Sequence, residues 1–247
     1  LGNIGRNSRL IRDTIKQIGS GVDIIVFPEL IICGYPPEDL ALKKSFVHDC
    51  MAESKKIIAD HADAPAFILT TPWEQDGKHY NAALLADGGQ IKHIVLKNNL
   101  PNYGVFDEKR IFESGPLPDV VEFKGKKIGI VICEDIWFPP AAAQLKAQGA
   151  QIILSPNGSP YHCKKHAMRE DVLTARVRET GLPIVYVNQL GGQDDLVYDG
   201  GSMVYDASGK KIFQAPYCAP YIGPIKNDVP VKQSLDAEIY DVLKLSL

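Results

Sequence analysis

The first part of the chain alternates helical patterns with short apolar runs. A helix is predicted over Asn7 to Ile18, because its apolar residues recur on one face. The runs Val22 to Phe27 and Ala66 to Thr70 have the length of buried strands, and Leu40 to Ala59 between them has a helical pattern. These segments predict the order helix, strand, helix, strand.

The rest of the chain combines predicted hairpins with strand and helix pairs. Two hairpins pair Asn81 to Ala86 with Gln90 to Leu96, and Val120 to Phe123 with Lys127 to Ile132. The later elements are helices over Pro140 to Gln148 and His166 to Thr180, strands over Gln151 to Leu154 and Pro183 to Val187, and a hairpin of Met203 to Tyr205 with Lys211 to Phe213. The pattern predicts an α/β fold with mixed sheets, and two sheets packed face to face would bury such apolar strands best.

Composition narrows the function classes. The 247 residues are 45% hydrophobic and 23% charged, which is enough to bury a large core. A formal charge of -3 leaves no basic face for nucleic acid or an anionic membrane surface, so small molecules are the expected partners. No apolar run approaches the roughly 18 residues of a membrane span, and we expect a soluble, cytoplasmic protein. The five scattered cysteines are typical of reduced thiols.

Three reactive side chains each lie just past a predicted strand: Glu29, Lys97 and Cys133. If their strands are neighbours, the side chains meet in one pocket at the carboxyl ends of the strands. A carboxylate base, a cation and a thiol suit attack on an amide carbonyl, because the thiol needs a base and the oxyanion needs donors. Taken singly, each residue is better explained as a solvated charge or a buried packing thiol.

The sequence strings around these residues change that judgement. FPEL, VLKNNLPNYGVFDEKR and GIVICEDIW resemble the Glu, Lys and Cys motifs of the nitrilase superfamily. Within it, the strings GYPPEDL, LPNYGVFDEKR, CEDIW and GGQDDLVYDGGS resemble the glutaminase domain of glutamine-dependent NAD+ synthetases. The resemblance covers roughly Asn3 to Cys218.

This resemblance implies a fold and a function. It implies an αββα sandwich that hydrolyses L-glutamine through a Cys133 thioester and passes ammonia to a synthetase domain in cis, in a homo-oligomer. That domain, which is absent from this sequence, is expected to use ATP and Mg²⁺ to amidate deamido-NAD+, whereas the glutaminase domain needs no cofactor or metal. By position, Tyr35 and Tyr103 resemble pocket walls, Glu134 and Ser159 resemble contacts for the substrate's α-amino end, and Glu108 resembles a second glutamate that accepts from the lysine.

The expected domain organisation follows from the same resemblance. Residues 1–218 are expected to form the glutaminase domain without its usual first strand, and residues 219–247 a linker and the start of a synthetase module. The proline-rich stretch Gln214 to Pro230 lacks a sustained period, and Gln233 to Leu247 has a helical pattern. The glycine pairs at 191–192 and 200–201 lack the lysine and helix of an ATP loop.

Three alternatives compete with this interpretation. A free-standing amidase or carbamoylase would keep the triad, but GYPPEDL and GGQDDLVYDGGS disfavour it. A metal module at His162, Cys163 and His166 lacks a second ligand pair, and two histidines on one exposed helical face explain that cluster more simply. A noncatalytic scaffold would not account for three reactive residues in matched contexts.

Overall fold

The computed structural model describes residues 1–226, 228–229 and 234–246. The chain divides into two compact units, Leu1–Pro118 and Asp119–Leu247. Each unit contains one mixed sheet and helices, which confirms the predicted α/β class with two mixed sheets.

The N-terminal unit is built on a four-stranded sheet. Its elements are α1 (Ile4–Ile18), β1 (Ile24–Val26), α2 (Lys44–Asp60), β2 (Ala66–Gln75), β3 (Lys78–Asp87) and β4 (Gln90–Leu96), with 3-10 helices at Glu38–Leu42 and Glu108–Arg110. The sheet order is β1-β2-β3-β4, with β1 parallel to β2 and the other pairs antiparallel. Helix α2 packs against β2 and also contacts α1, and both helices contribute buried apolar residues to the core.

Local chemistry sets the ends of α1. The Asn3 side chain accepts a hydrogen bond from the Arg6 amide at 2.9 Å, which satisfies one free donor of the first turn. At the other end Gly19 has φ 61°, and its amide donates to the Ile15 carbonyl. The predicted helix at Asn7 to Ile18 is therefore confirmed, with one more turn at its start.

The C-terminal unit is built on a six-stranded sheet. Its elements are β5 (Val121–Phe123), β6 (Lys126–Ile130), α3 (Pro139–Ala147), β7 (Ile152–Asn157), α4 (Lys165–Thr180), β8 (Ile184–Asn188), β9 (Leu190–Gln193), β10 (Leu196–Asp199), β11 (Met203–Tyr205), β12 (Lys211–Gln214) and α5 (Leu235–Ser246), with a 3-10 helix at Cys133–Trp137. The sheet order is β12-β11-β8-β7-β6-β5, and the β6-β7-β8 core is parallel. Strands β9 and β10 form a separate two-stranded hairpin.

The structure corrects the predicted elements at two places. The predicted helix over Leu40 to Ala59 is two helices, because Lys43 has an extended backbone with φ -82° and ψ 113°. The hairpin β9-β10 was not predicted, since its glycine and aspartate residues match a turn pattern better than a strand pattern. The predicted helix at Gln233 to Leu247 is confirmed as α5, although residues 233 and 247 lie outside the described part of the chain, as do positions 227 and 230 of the proline-rich stretch. No helix among the described residues is both long and apolar enough to cross a membrane.

We expect Gly115→Ala to destabilise the protein. A Cβ at Gly115 would lie 2.5 Å from Leu96 Cβ and 2.6 Å from its carbonyl oxygen, so the backbone at the end of β4 must move. Overpacking of this kind costs about 1–3 kcal/mol, which urea unfolding would detect. The control is Gly21→Ala, where nothing lies within 4 Å of the new Cβ and we expect a change within about 0.5 kcal/mol. Equal stability of the two variants would contradict the close packing.

Candidate active site

Glu29 lies in the loop that follows β1. The Thr70 hydroxyl on β2 donates to the Pro28 carbonyl and accepts from the Ile31 amide at 3.0 Å, which fixes the loop on both sides of Glu29. Leu30 has φ 47°, so the chain turns sharply directly after the glutamate. The Glu29 side chain is completely buried.

Lys97 joins two carboxylates inside the N-terminal unit. Its Nζ donates to Glu29 Oε1 at 2.6 Å and to Glu108 Oε1 at 2.8 Å, and the lysine side chain is fully buried. Asn81 on β3 also donates to Glu29 Oε1, at 2.7 Å. A buried ammonium needs such partners, because its desolvation is costly.

The strands that carry Glu29 and Lys97 are not neighbours, contrary to the condition on which we expected these residues to meet. β1 and β4 are the two edges of the sheet, with β2 and β3 between them. The contact forms because Glu29 lies three residues beyond the end of β1 and because the lysine side chain is long. Asn81 on β3 contributes the third side chain from between the two edges.

The tyrosines predicted to line a pocket differ in their environments. Tyr35 is buried and its hydroxyl donates to Glu108 Oε1 at 2.8 Å, while Lys97 Nζ lies 5.9 Å from its ring centroid. Tyr103 is 54% exposed and packs edge-on against Phe106. Phe106 also packs against Tyr35, so both tyrosines belong to one aromatic group on this unit.

Glu108 shares the Lys97 cation with Glu29 and holds its proton unusually well. Burial raises the pKa of Glu108 to about 7 against the opposing effect of Lys97, and the Glu29 carboxylate raises it further. Its second oxygen, Oε2, is buried without a hydrogen-bond partner among the described residues, which also disfavours the anion. The predicted contact between Glu108 and the lysine is therefore present.

Cys133 lies at a sharp turn at the end of the β6 segment. Its φ is 44°, a left-handed conformation that is rare for a residue with a side chain. The turn leads into the 3-10 helix Cys133–Trp137, and Asp135 Oδ2 accepts from the Ile132 amide at 3.2 Å. The side chain of Cys133 is buried at this turn.

A buried lysine of the same unit lies in the surroundings of Cys133. Lys165 is buried at the start of α4, and its Nζ lies 4.3 Å from the centroid of the Trp137 ring. Burial and Arg169 lower the pKa of Lys165, whereas Cys133 and Glu134 act in the opposite direction. Glu134 is also buried, so a carboxylate and an ammonium lie near the thiol.

Ser159 is fixed by its backbone and its hydroxyl. The Ser159 amide donates to Asn188 Oδ1 at 2.9 Å, and Asn188 Nδ2 donates back to the Ser159 carbonyl at 3.2 Å. Arg169 donates to Ser159 Oγ at 3.1 Å and to its carbonyl at 2.6 Å. Burial raises the pKa of Tyr186, which lies near Cys133 and Ser159, so these two predicted site residues share a neighbour.

The predicted site residues thus form two groups. Glu29, Lys97, Glu108 and Tyr35 are in contact in the N-terminal unit, and Tyr103 belongs to the aromatic group beside them. Cys133, Glu134 and Ser159 belong to the C-terminal unit. The action of both groups in one reaction stays a prediction.

Sequence reasoning missed Lys165, Arg169 and Asn81. The buried face of α4 is strongly polar, and a polar helical stripe indicates a solvated surface unless its partners are known. Its buried members are Lys165, Arg169, Leu173, Arg176, Val177 and Thr180. The i, i+4 spacing of Lys165, Arg169 and Leu173 is the one signal that places these cations on the core face.

A metal module was one alternative for the cluster His162, Cys163 and His166. Among the described residues, no group of three or more His, Cys, Asp or Glu side chains is arranged to hold a metal ion. The simpler explanation, two histidines on one exposed face, is wrong for His166. That ring is largely buried and lies within ion-pair distance of Asp199 and Glu238.

The described site can be compared with known proteins. The family described as carbon-nitrogen hydrolase matches residues 2–219. This chain belongs to the carbon-nitrogen hydrolase family. Among its relatives, the glutamine-dependent NAD(+) synthetase of Xylella fastidiosa strain Temecula1 is 40% identical over 216 residues, covering 85% of this chain and 39% of that protein. The chain therefore spans about two fifths of that relative.

Solved structures show the same fold. The glutamine-dependent NAD+ synthetase of Acinetobacter baumannii, in complex with ADP, has a TM-score of 0.87 at 34% identity, covering 100% of this chain and 49% of that one. The amidase of Nesterenkonia sp. AN1 has a TM-score of 0.75 at 26% identity, covering 92% and 88%, in a structure that shows the result of Michael addition of acrylamide at the active site cysteine. This carbon-nitrogen hydrolase therefore has the nitrilase-superfamily fold that the sequence motifs predicted.

We expect Glu108 to make the stability of this carbon-nitrogen hydrolase fall between about pH 4.5 and 7. In that window the unfolded chain loses the Glu108 proton, while the folded chain, whose Glu108 pKa is about 7, retains it. Stability is therefore highest below the unfolded pKa, and this contribution is lost as the pH rises towards 7. Glu108→Gln does not titrate, so its free energy of unfolding should fall less across the window than that of the wild type.

The measurement is urea unfolding at intervals from pH 4.5 to 8. Glu113→Gln is the matched control, since Glu113 is exposed and only five residues away. Parallel pH curves for wild type and Glu108→Gln would show that Glu108 is not the titrating group.

Proposed function

We propose that this chain is a glutaminase that hydrolyses the side-chain amide of L-glutamine, with Glu29, Lys97 and Cys133 as its catalytic triad. The observation that carries the proposal is the left-handed turn at Cys133 in a chain of the carbon-nitrogen hydrolase family. Such strain persists where the surrounding structure fixes it, and it is concentrated at reactive positions.

The proposed reaction has two halves. The Cys133 sulfur attacks the amide carbon, Glu29 takes the thiol proton and gives it to the departing nitrogen, and ammonia leaves from a thioester. Glu29 then takes a proton from water, whose oxygen attacks the thioester carbon, and returns it to the sulfur as the carbon-sulfur bond breaks, so that glutamate and the free thiol are released. Lys97 and backbone amides after Cys133 stabilise the oxyanion of each half.

The charged surroundings of Cys133 support glutamine rather than a simple amide. Glutamine carries an α-ammonium and an α-carboxylate, and the buried Glu134 and Lys165 supply the complementary charges. Ser159 adds a hydroxyl whose position is fixed by Arg169. The relative from Xylella fastidiosa is a glutamine-dependent NAD(+) synthetase, which supports the same substrate.

The destination of the ammonia is a further part of this proposal. We expect it to amidate deamido-NAD+ in an ATP- and Mg²⁺-dependent synthetase domain in cis, because the chain spans 39% of its Xylella relative. The alternative is a free-standing amidase, and the Nesterenkonia amidase, of which this chain covers 88%, favours it. A cytoplasmic location and a homo-oligomeric state belong to the NAD synthetase proposal.

We expect Cys133 to be the first thiol alkylated by brief iodoacetamide treatment, and L-glutamine to protect it. Burial raises the pKa of Cys33 well above its usual range and that of Cys218 to about 11, which suppresses their thiolates. Cys163 is exposed and is the stringent comparison. Peptide mapping by mass spectrometry gives the order, and earlier labelling of any other cysteine would refute the nucleophile.

We expect Cys133→Ala to lower ammonia release from glutamine on the order of 10⁴-fold or more, since the covalent route is removed. Cys163→Ala is the control and should keep wild-type turnover. In a protein that contains the synthetase domain, NAD formation from ammonium salt should survive Cys133→Ala while formation from glutamine is lost. Hydrolysis of acetamide in preference to glutamine by the wild type would instead favour the free-standing amidase.

A further inference from the structure

Helix α5 is seated on the β9-β10 hairpin by a buried acidic residue. The helix packs against both strands of the hairpin. Glu238, in its first turn, is buried, and its Oε2 lies 3.3 Å from His166 Nδ1 on α4. The Glu238 carboxylate also lies near Tyr161, where it adds to the effect of burial in raising the pKa of the Tyr161 hydroxyl.

His166 also contacts a second carboxylate, that of Asp199 at the end of β10. Its Nε2 lies 2.5 Å from Asp199 Oδ2, and its ring stacks on Tyr217 at 3.8 Å between centroids. The His166 ring therefore lies between two carboxylates, one from α5 and one from β10.

Asp199 in turn holds Arg169 in a two-point contact. Arg169 Nη1 and Nη2 donate to the two carboxylate oxygens at 2.9 Å each, and both side chains are buried. Burial alone would raise the pKa of Asp199, but Arg169 and His166 outweigh that effect and lower it. The pair is thus ionised, and the guanidinium has a fixed orientation.

Arg169 ends the chain of contacts at Ser159. Its Nε donates to Ser159 Oγ at 3.1 Å, and its Nη2 donates to the carbonyls of Ser159 at 2.6 Å and Pro160 at 3.3 Å. The Tyr161 amide donates to Val197 of β10 at 2.7 Å, so the loop is also tied to the hairpin directly.

A glycine allows the other end of α5 to approach the hairpin. A Cβ at Gly192 on β9 would lie 3.2 Å from the Leu245 carbonyl and 3.5 Å from Ser246 Cα. The distance to the Leu245 carbonyl is tighter than most Cβ contacts, so a side chain at position 192 would require the end of α5 to shift slightly. Helix α5 is thus held near its start by the contacts of Glu238 with His166 and of His166 with Asp199, and near its end by a close backbone approach to β9.

We propose that α5 is a positioning element for the substrate pocket, acting through Glu238, His166, Asp199 and Arg169 on Ser159. The inference rests on the proposed function only in naming Ser159 as a substrate contact. None of the four residues is required to touch the substrate. Their role is to fix the position of residues 157–161, the segment at the end of β7 that contains Ser159. The packing of α5 on the hairpin then influences the affinity for glutamine.

The test compares Glu238→Ala with Asp236→Ala. Both remove a carboxylate from the first turn of α5, but Asp236 is exposed and has no part in the contacts with His166. Amide hydrogen exchange by mass spectrometry should be faster over residues 157–161 in Glu238→Ala and unchanged there in Asp236→Ala. Glu238→Gln keeps an acceptor for His166 Nδ1 and should restore part of the protection.

Glutamine kinetics give the second measurement. Glu238→Ala should raise KM about fivefold or more and leave kcat within about twofold, because the reacting groups are untouched. Equal exchange at 157–161 in the two alanine variants would overturn the inference, as would faster exchange confined to α5. A wild-type protein that hydrolyses no glutamine would refute the proposed function, while the exchange result would still decide the role of α5.

Discussion

The N-terminal unit is organised around one buried ammonium between two carboxylates. Lys97 contacts Glu29 and Glu108 with no exposure of its own side chain, so its position is set by the need to compensate a desolvated charge. The backbone meets this need, because the Lys97 amide donates to Asn81 and its carbonyl accepts from Gly115. One cation faces two carboxylates, and burial together with the Glu29 charge raises the pKa of Glu108 to about 7 against the effect of Lys97.

The C-terminal unit also buries cations, and these lie on one helix, α4. Lys165 and Arg169 lie on successive turns of α4 and point inward. Lys165 lies over the Trp137 ring, and Arg169 binds Asp199. Each cation then has a different surrounding: one lies near the thiol, and the other fixes the Ser159 loop. The helix therefore acts as a rigid support for charge, and its buried face is chemical as well as hydrophobic.

Much of this arrangement follows from the sequence, and the reasons for the failures are physical. Apolar periodicity located β1, β2 and the parallel strands correctly, because their burial depends on local composition. It missed the β9-β10 hairpin, whose residues are chosen for the close approach of α5 and for the Arg169 contact rather than for strand propensity.

The site shows the same division. Glu29, Lys97 and Glu108 were predicted from motifs, and their mutual contacts are present. Their meeting from opposite edges of the sheet was not foreseen, since strand order is a non-local property. Asn81 has no local signal, and Arg169 has only its i, i+4 spacing with Lys165 and Leu173, because a polar residue is identified as buried only when its partner is known.

The left-handed backbone at Cys133 lowers the stability of the turn that carries the thiol. A side chain in that conformation costs roughly 1–2 kcal/mol relative to glycine, and the fold carries this cost permanently. A glycine at the same position would relax the turn and remove the sulfur together. A substitution that stabilises the turn would therefore also remove the thiol, so stability and the proposed nucleophile are opposed at this position.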